Sequence, residues 1–251
     1  MLGLWGDKMR KFTDWSCDLL PMMGGLVTTA DETAKTLILL NEKFGLSRFC
    51  MTPEFNCEND SVASFIARRN RACTEVSSLL PPGIQIVPGA SINLIPGLSE
   101  ERGLKKLLLP TTDELPIRLP FFFMKNDNSI ELNRLLYHSP YRICFLSFDS
   151  YLNFYSKEDI ARWSNLENVS FQFNYRSLAS PEARSLLKRL IDRNATIRFG
   201  TELNSYGKAC YYELDYYLEL ASNYFSEYER GLLFSPLKNE QNSVFTRSFC
   251  R

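Results

Sequence analysis

Hydrophobic and polar positions switch repeatedly between two periods along this chain of 251 residues. Short apolar runs with a near-alternating pattern predict strands at 11–14, 47–52, 84–88, 115–119, 142–147, 168–173 and 196–200, and longer stretches with helical spacing separate them. Thr29-Ala30-Asp31-Glu32 has the spacing of a capping box at a helix start, and Gly45 is a suitable left-handed stop for that helix. Val62, Phe65, Ile66, Arg69, Ala72, Cys73, Val76, Leu79 and Leu80 recur at helical spacing until Pro81-Pro82-Gly83 breaks the run. Further helices are predicted around 131–137, 157–163 and 182–193. Cys210–Arg230 reads as one long helix dense in tyrosine, including Tyr211, Tyr212, Tyr216, Tyr217, Tyr224 and Tyr228. An aromatic stripe of this kind packs on a core more often than it forms a site.

Strands that each lead into helical sequence pair in parallel through right-handed crossovers. The expected fold is therefore α/β, a distorted (β/α)7 TIM-like barrel in a single domain over 1–251. Its core would lie at about 11–230, closed by the aromatic helix, with 231–251 a loosely held tail. An open doubly wound sheet is the alternative arrangement.

Composition narrows the function classes. Lys+Arg and Asp+Glu both total 29, so formal net charge is zero and nothing favours nucleic acid as a partner. No apolar run approaches a membrane span, and Met1–Asp7 shows no charged leader followed by an apolar block. Seven cysteines at irregular spacing, without a Cys-x-x-Cys pair, fit reduced thiols and a cytoplasmic location.

Several mechanisms fail on inventory. His138 is the only histidine and falls in Tyr137-His138-Ser139-Pro140, read as an exposed turn. No P-loop, dinucleotide fingerprint or Gly-x-Ser-x-Gly elbow occurs; Gly89-Ala90-Ser91-Ile92-Asn93 lacks the last glycine. No cysteine has the downstream arginine of a cysteine-type phosphatase loop, and Cys144 has Ser150 at that distance.

The strand-end segments resemble, in order, those of the PHP (polymerase and histidinol phosphatase) superfamily. The resemblance is to its branch of bacterial metal-dependent tyrosine phosphatases from capsule and exopolysaccharide gene clusters. Asp14-Trp15-Ser16-Cys17-Asp18-Leu19-Leu20-Pro21 is similar to that family's Asp-x-His-x-His-x-Leu-Pro, and Met22-Met23-Gly24-Gly25 takes the place of its Gly/Asp-rich loop. Thr52-Pro53-Glu54 resembles Thr-Pro-His, and Gly89-Ala90-Ser91 resembles Gly-x-Glu. Ser147-Phe148-Asp149-Ser150-Tyr151 resembles His-Pro-Glu-Arg-Tyr. Gln172-Phe173-Asn174-Tyr175-Arg176-Ser177-Leu178 is similar to Gln-Ile-Asn-Ala-Gly-Ser-Leu, and Thr201-Glu202-Leu203-Asn204 to Asp-Ala-His-Asn.

What the resemblance implies is a site at the strand ends built from Asp14, Ser16, Asp18, Glu54, Ser91, Ser147, Asp149, Ser150, Arg176, Thr201, Glu202 and Leu203. Every matched family histidine is another residue here, and serine, threonine and leucine are poor ligands for a transition metal. The leading expectation is a catalytically degenerate pseudo-phosphatase without cofactor. It would act as a binding or regulatory module toward a protein partner such as a tyrosine kinase or a polysaccharide-assembly component. The alternative is a retooled phosphoesterase or protein-tyrosine phosphatase in which Asp18, Glu54, Asp149 and Glu202 hold Mg²⁺ or Mn²⁺, unless Arg176 or Lys208 neutralises them. Arg176 is further expected to fill the metal space and pair with Asp18 or Glu54. A third reading has the aromatic C-terminal helix docking another subunit.

Overall fold

Parallel strand pairing organises the chain, as the alternation of periods predicts. The structure, a computed structural model, describes residues 12–23, 29–121, 124–202 and 213–234. Gly24, Gly25, Leu203, Asn204, Lys208, Tyr211, Tyr212 and the tail beyond 234 lie outside the described residues.

Strand β1 (Phe12–Cys17) leads to helix α1 (Ala30–Phe44), then β2 (Leu46–Met51) and β3 (Glu54–Phe55). Helix α2 (Val62–Ser77) precedes β4 (Gln85–Pro88) and β5 (Ser91–Asn93). Then come β6 (Glu114–Arg118), α3 (Asn126–His138), β7 (Arg142–Phe145), α4 (Lys157–Ser164) and β8 (Val169–Asn174). The described chain finishes with α5 (Pro181–Asp192), β9 (Ile197–Gly200), α6 (Leu214–Tyr224) and α7 (Glu227–Phe234).

The predicted capping box forms at α1: Thr29 and Glu32 exchange side-chain-to-backbone bonds of 3.2 Å each. Gly45 takes φ 71° and donates its N–H to the Asn41 carbonyl at 2.8 Å, which closes the helix. Helix α2 stops at Ser77, so Leu79 falls outside it and is half exposed. His138 is the last residue of α3 rather than a turn residue, exposed at the negative end of the helix dipole.

The long aromatic helix expected at 210–230 is two helices. Ser226 and Glu229 form a second capping box, with bonds of 2.7 and 3.2 Å, which starts α7 afresh after Phe225. The tail expected to be loose begins inside α7, where Leu233 and Phe234 are buried and Phe234 lies 5.2 Å from the Phe199 ring. Of the tyrosines in these helices, Tyr217 is buried, whereas Tyr216 and Tyr228 are exposed.

Among the described residues the strands form two parallel sheets, ordered β1-β2-β4 and β3-β5-β6-β7-β8-β9. They read as nine rather than seven because β2 and β3 are interrupted at Thr52-Pro53, and β4 and β5 at Gly89-Ala90. Proline cannot donate to a ladder. Across these breaks Gly89 still donates to the Met51 carbonyl at 2.7 Å and Ser91 to that of Pro53 at 2.9 Å.

Of the expected distorted barrel the structure gives the parallel sheets but not closure, since among the described residues no ladder joins β1 to β9. One extra residue bulges β1 between Asp14 and Cys17. The Asp14 side chain then accepts the Thr201 N–H at 2.9 Å, so a carboxylate takes a bond that a ladder partner would otherwise make. A backbone bond also spans the two strands, from Glu202 N–H to the Ser16 carbonyl at 2.7 Å.

Each strand has two faces. In β8, Val169, Phe171 and Phe173 belong to the main apolar core, while the alternating Ser170, Gln172 and Asn174 are buried and polar. Aromatic rings fill much of that core: Phe148 lies 4.7 Å from Phe171 and 5.7 Å from Phe145. On the polar face, Arg198 and Glu114 form an ion pair at 2.7 Å, both almost fully buried, with Arg198 4.8 Å from the Trp15 ring. The polar face therefore contains charge that must be matched internally.

Gly200 is required where β9 meets β1. A Cβ there would stand 2.6 Å from both Ser16 Cβ and Ser16 N. Gly200→Ala is expected to destabilise the fold by about 1–3 kcal/mol, the usual scale of overpacking. Gly231→Ala, whose added carbon meets nothing within 4 Å, should not. Urea denaturation of the two variants checks the contrast.

Candidate functional site

The carboxyl-terminal ends of parallel strands are where α/β proteins carry their chemistry. Here those ends hold three linked polar groups. The first joins β1 to β9. Asp14 is fully buried and accepts from Ser16 N–H at 3.2 Å, from Thr201 N–H at 2.9 Å and from the Thr201 hydroxyl at 2.5 Å. Ser16 Oγ lies 3.2 Å from Thr52 Oγ1. Burial pushes the Asp14 carboxyl up to about 7 against the hydrogen bonds that favour its charge, with Glu202 adding repulsion.

The second group lies at the ends of β1 and β6 and along the short strands β3 and β5. Glu54 is exposed and accepts from Asn93 at 2.7 Å. Arg118, half buried, donates Nε–H to Ser91 Oγ at 2.5 Å. Asp18 lies beside them, with Oδ1 buried and lacking a hydrogen-bond partner. Burial raises its carboxyl to about 6; Arg118 opposes the shift and Glu54 reinforces it.

The third group follows β7, β8 and β9. Ser147 and Glu202 both adopt left-handed backbone, φ 53° and 47°, which non-glycine residues seldom take. The Ser147 hydroxyl donates to Glu202, whose other oxygen accepts from Asn174 at 3.3 Å. Ser147 N–H is held by Gln172 Oε1 at 2.7 Å. Asp149 accepts the Asn174 N–H at 2.9 Å, and burial followed by Glu202 repulsion pushes it up to about 7. Ser150 serves the turn, donating its N–H to the Ser147 carbonyl at 2.9 Å.

The structure thus brings together Asp14, Ser16 and Thr201; Asp18, Glu54 and Ser91; and Ser147, Asp149 and Glu202. Leu203 lies outside the described residues. Arg176 does not do what was expected of it. Its side chain is exposed, its backbone N–H donates to Asn174 Oδ1, and the acid whose charge it favours is Asp149, not Asp18 or Glu54. A short 3-10 helix over Tyr175–Ala179, capped by Asn174, leaves Arg176 on the surface.

The arginine beside Asp18 is Arg118, which the sequence reading passed over. An arginine at the end of a predicted strand, between Pro116-Ile117 and Leu119-Pro120, was the available signal. Asn174 and Tyr151 are matched motif positions and Asn93 closes a quoted segment, but none of the three is among the site residues that the resemblance implies.

Among the described residues, no three His, Cys, Asp or Glu side chains stand close enough to hold a metal ion together. Arg118 puts a positive charge beside the Asp18–Glu54 pair, while Ser147 and Asn174 hold the oxygens of Glu202. These residues do not fit the imidazole-and-carboxylate shell of a transition-metal cluster.

Parallel α/β architecture with a polar strand-end site defines the class. Within it, the structure is similar to a solved chain described under crystal structures of YwqE from Bacillus subtilis and CpsB from Streptococcus pneumoniae, metal-dependent tyrosine phosphatases. The TM-score is 0.63 at 16% identity, over 88% of this chain and 90% of that one. The resemblance read from the strand-end motifs is borne out as a likeness of fold. No family model matches the sequence, and no curated protein matches it in sequence comparison. Among the described residues, no helix is long and apolar enough to cross a membrane.

The shifted carboxyls predict a pH dependence. Asp14, Asp18 and Asp149 have folded values above the ordinary 3.8, so the native state keeps protons that the unfolded chain has released. Their contribution is full below about pH 4 and is lost as pH rises through about 6 to 7. The thermal midpoint should fall between about pH 5 and about pH 8. In Asp149→Asn, which can still accept from Asn174, the fall should be shallower. Differential scanning fluorimetry across buffers reads both.

Proposed function

We propose that this chain uses a phosphatase-type α/β scaffold, acting as one domain, for binding or regulation rather than hydrolysis. The observation that supports this best is Arg118. Its guanidinium rests on Ser91 beside Asp18 and Glu54, a permanent cation among the acids that would otherwise attract a metal ion. On this reading the protein carries no resident cofactor and works in the cytoplasm. Its partner is a protein, such as a tyrosine kinase or a polysaccharide-assembly component, as the family resemblance implies.

The second reading is a metal-dependent phosphoesterase or tyrosine phosphatase that uses Asp18, Glu54, Asp149 and Glu202 with Mg²⁺ or Mn²⁺. It is favoured by the metal dependence of the structural neighbours and by the unpartnered Asp18 oxygen, a free lone pair at the site. There the ion would polarise a phosphoryl oxygen and activate water.

Elemental analysis of the purified chain, followed by hydrolysis assays on a phosphotyrosine peptide with added Mn²⁺ or Mg²⁺, separates the two. The binding reading expects no stoichiometric metal and no hydrolysis above buffer. Metal-dependent turnover lost in Asp18→Asn and Glu54→Gln would establish the second reading instead.

A further inference from the structure

Residues from the start of α3, from α4 and from the segment before α4 line a cavity of about 330 Å³. None of them belongs to the strand-end groups. The apolar part of the lining is Met124 and three rings, Phe154, Tyr155 and Trp163. Tyr155 and Trp163 meet edge to face, with centroids 5.2 Å apart and planes at 71°, so they form a corner and not a stack. Trp163 is buried, whereas Phe154 is half exposed and packs against Phe121 at 6.0 Å. The Tyr155 hydroxyl donates to the Pro120 carbonyl at 2.6 Å, which fixes that ring.

Asp159 and Arg162 also line the cavity. Arg162 donates from Nη2 to Asp159 Oδ1 at 2.8 Å, and its guanidinium carbon lies 5.9 Å from the Trp163 ring. The chain's own cation therefore already sits near an aromatic ring and beside a carboxylate, the two attractions that a positive ligand would use. The other Asp159 oxygen accepts from the Ser156 hydroxyl at 2.9 Å.

The class of ligand follows from what is already committed. An anion would meet Asp159 and the negative faces of the rings. A primary ammonium or a guanidinium brings several N–H groups, each in need of an acceptor. The Tyr155 hydroxyl is held by Pro120, and both Asp159 oxygens already accept. A cation without N–H groups needs no acceptor, and its methyl groups pack on rings and on a thioether.

We propose that this cavity binds a small quaternary ammonium compound, its trimethylammonium group seated between Phe154, Tyr155 and Trp163. Asp159 attracts the charge, and Arg162 competes with the ligand for that carboxylate. The proposal goes beyond the strand-end reading and does not depend on it.

Isothermal titration calorimetry on the full chain tests it with choline and tetramethylammonium. The control is dimethylbutanol, which has the shape of choline without its charge. Both cations should bind saturably, and dimethylbutanol about tenfold more weakly than choline or not at all. Phe154→Ala, at a half-exposed position, should weaken choline about fivefold. Phe154→Leu keeps apolar bulk without the ring and should weaken it too, which guards against a folding defect in the alanine variant. Arg162→Gln should tighten choline binding, because the carboxylate loses its internal partner. No saturable binding of either cation, equal binding of dimethylbutanol, or weaker choline binding in Arg162→Gln would each overturn the proposal. Thermal melting of the variants confirms that a folded chain is being compared.

Discussion

The grip of Asp14 on the end of β9 is the constraint from which the site takes its form. A buried carboxylate accepting two backbone amides and a hydroxyl sets β9 beside β1 without a ladder. That contact requires Gly200 to lack a side chain. It also places Glu202 where its N–H meets the Ser16 carbonyl and its carboxylate meets Ser147. Burial makes the arrangement costly for a charged acid, and its three hydrogen bonds offset part of that cost.

Charge on the polar strand face is handled in two ways. Deep in the structure, Arg198 and Glu114 neutralise one another, and Trp15 covers the guanidinium. Such pairs contribute little net stability, but loss of one member leaves the other buried and unmatched. At the strand ends compensation is incomplete. Arg118 stands among Asp18 and Glu54, and Glu202 presses on Asp149. Several carboxyls there have raised proton affinity for the same reason. Perturbed groups gathered at a strand-end site mark a place for function more than for stability.

The likeness to metal-dependent tyrosine phosphatases and the chemistry of the strand-end residues are separate observations. Fold similarity at 16% identity says how the strands are ordered, and site chemistry must be read from the side chains themselves. Those side chains include an arginine among the acids, while His138, the one histidine of the sequence, is exposed at the end of α3, outside the site. The likeness is one of fold.

Much of the fold was legible in the sequence because its signals are local. Strand and helix alternate in the hydrophobic pattern, Thr29–Glu32 marks a helix start, and Gly45 marks its end. The Ser226–Glu229 box was equally local and split the expected single helix in two. The sequence alone also placed Asp18, Glu54, Ser147, Asp149 and Glu202 at strand ends. Only tertiary structure decided which acids share a partner, that Arg118 rather than Arg176 stands beside Asp18, and that β1 and β9 meet through a side chain instead of a ladder. These outcomes depend on a one-residue bulge in β1 and on contacts between residues nearly two hundred positions apart, and no local pattern carries information of that range.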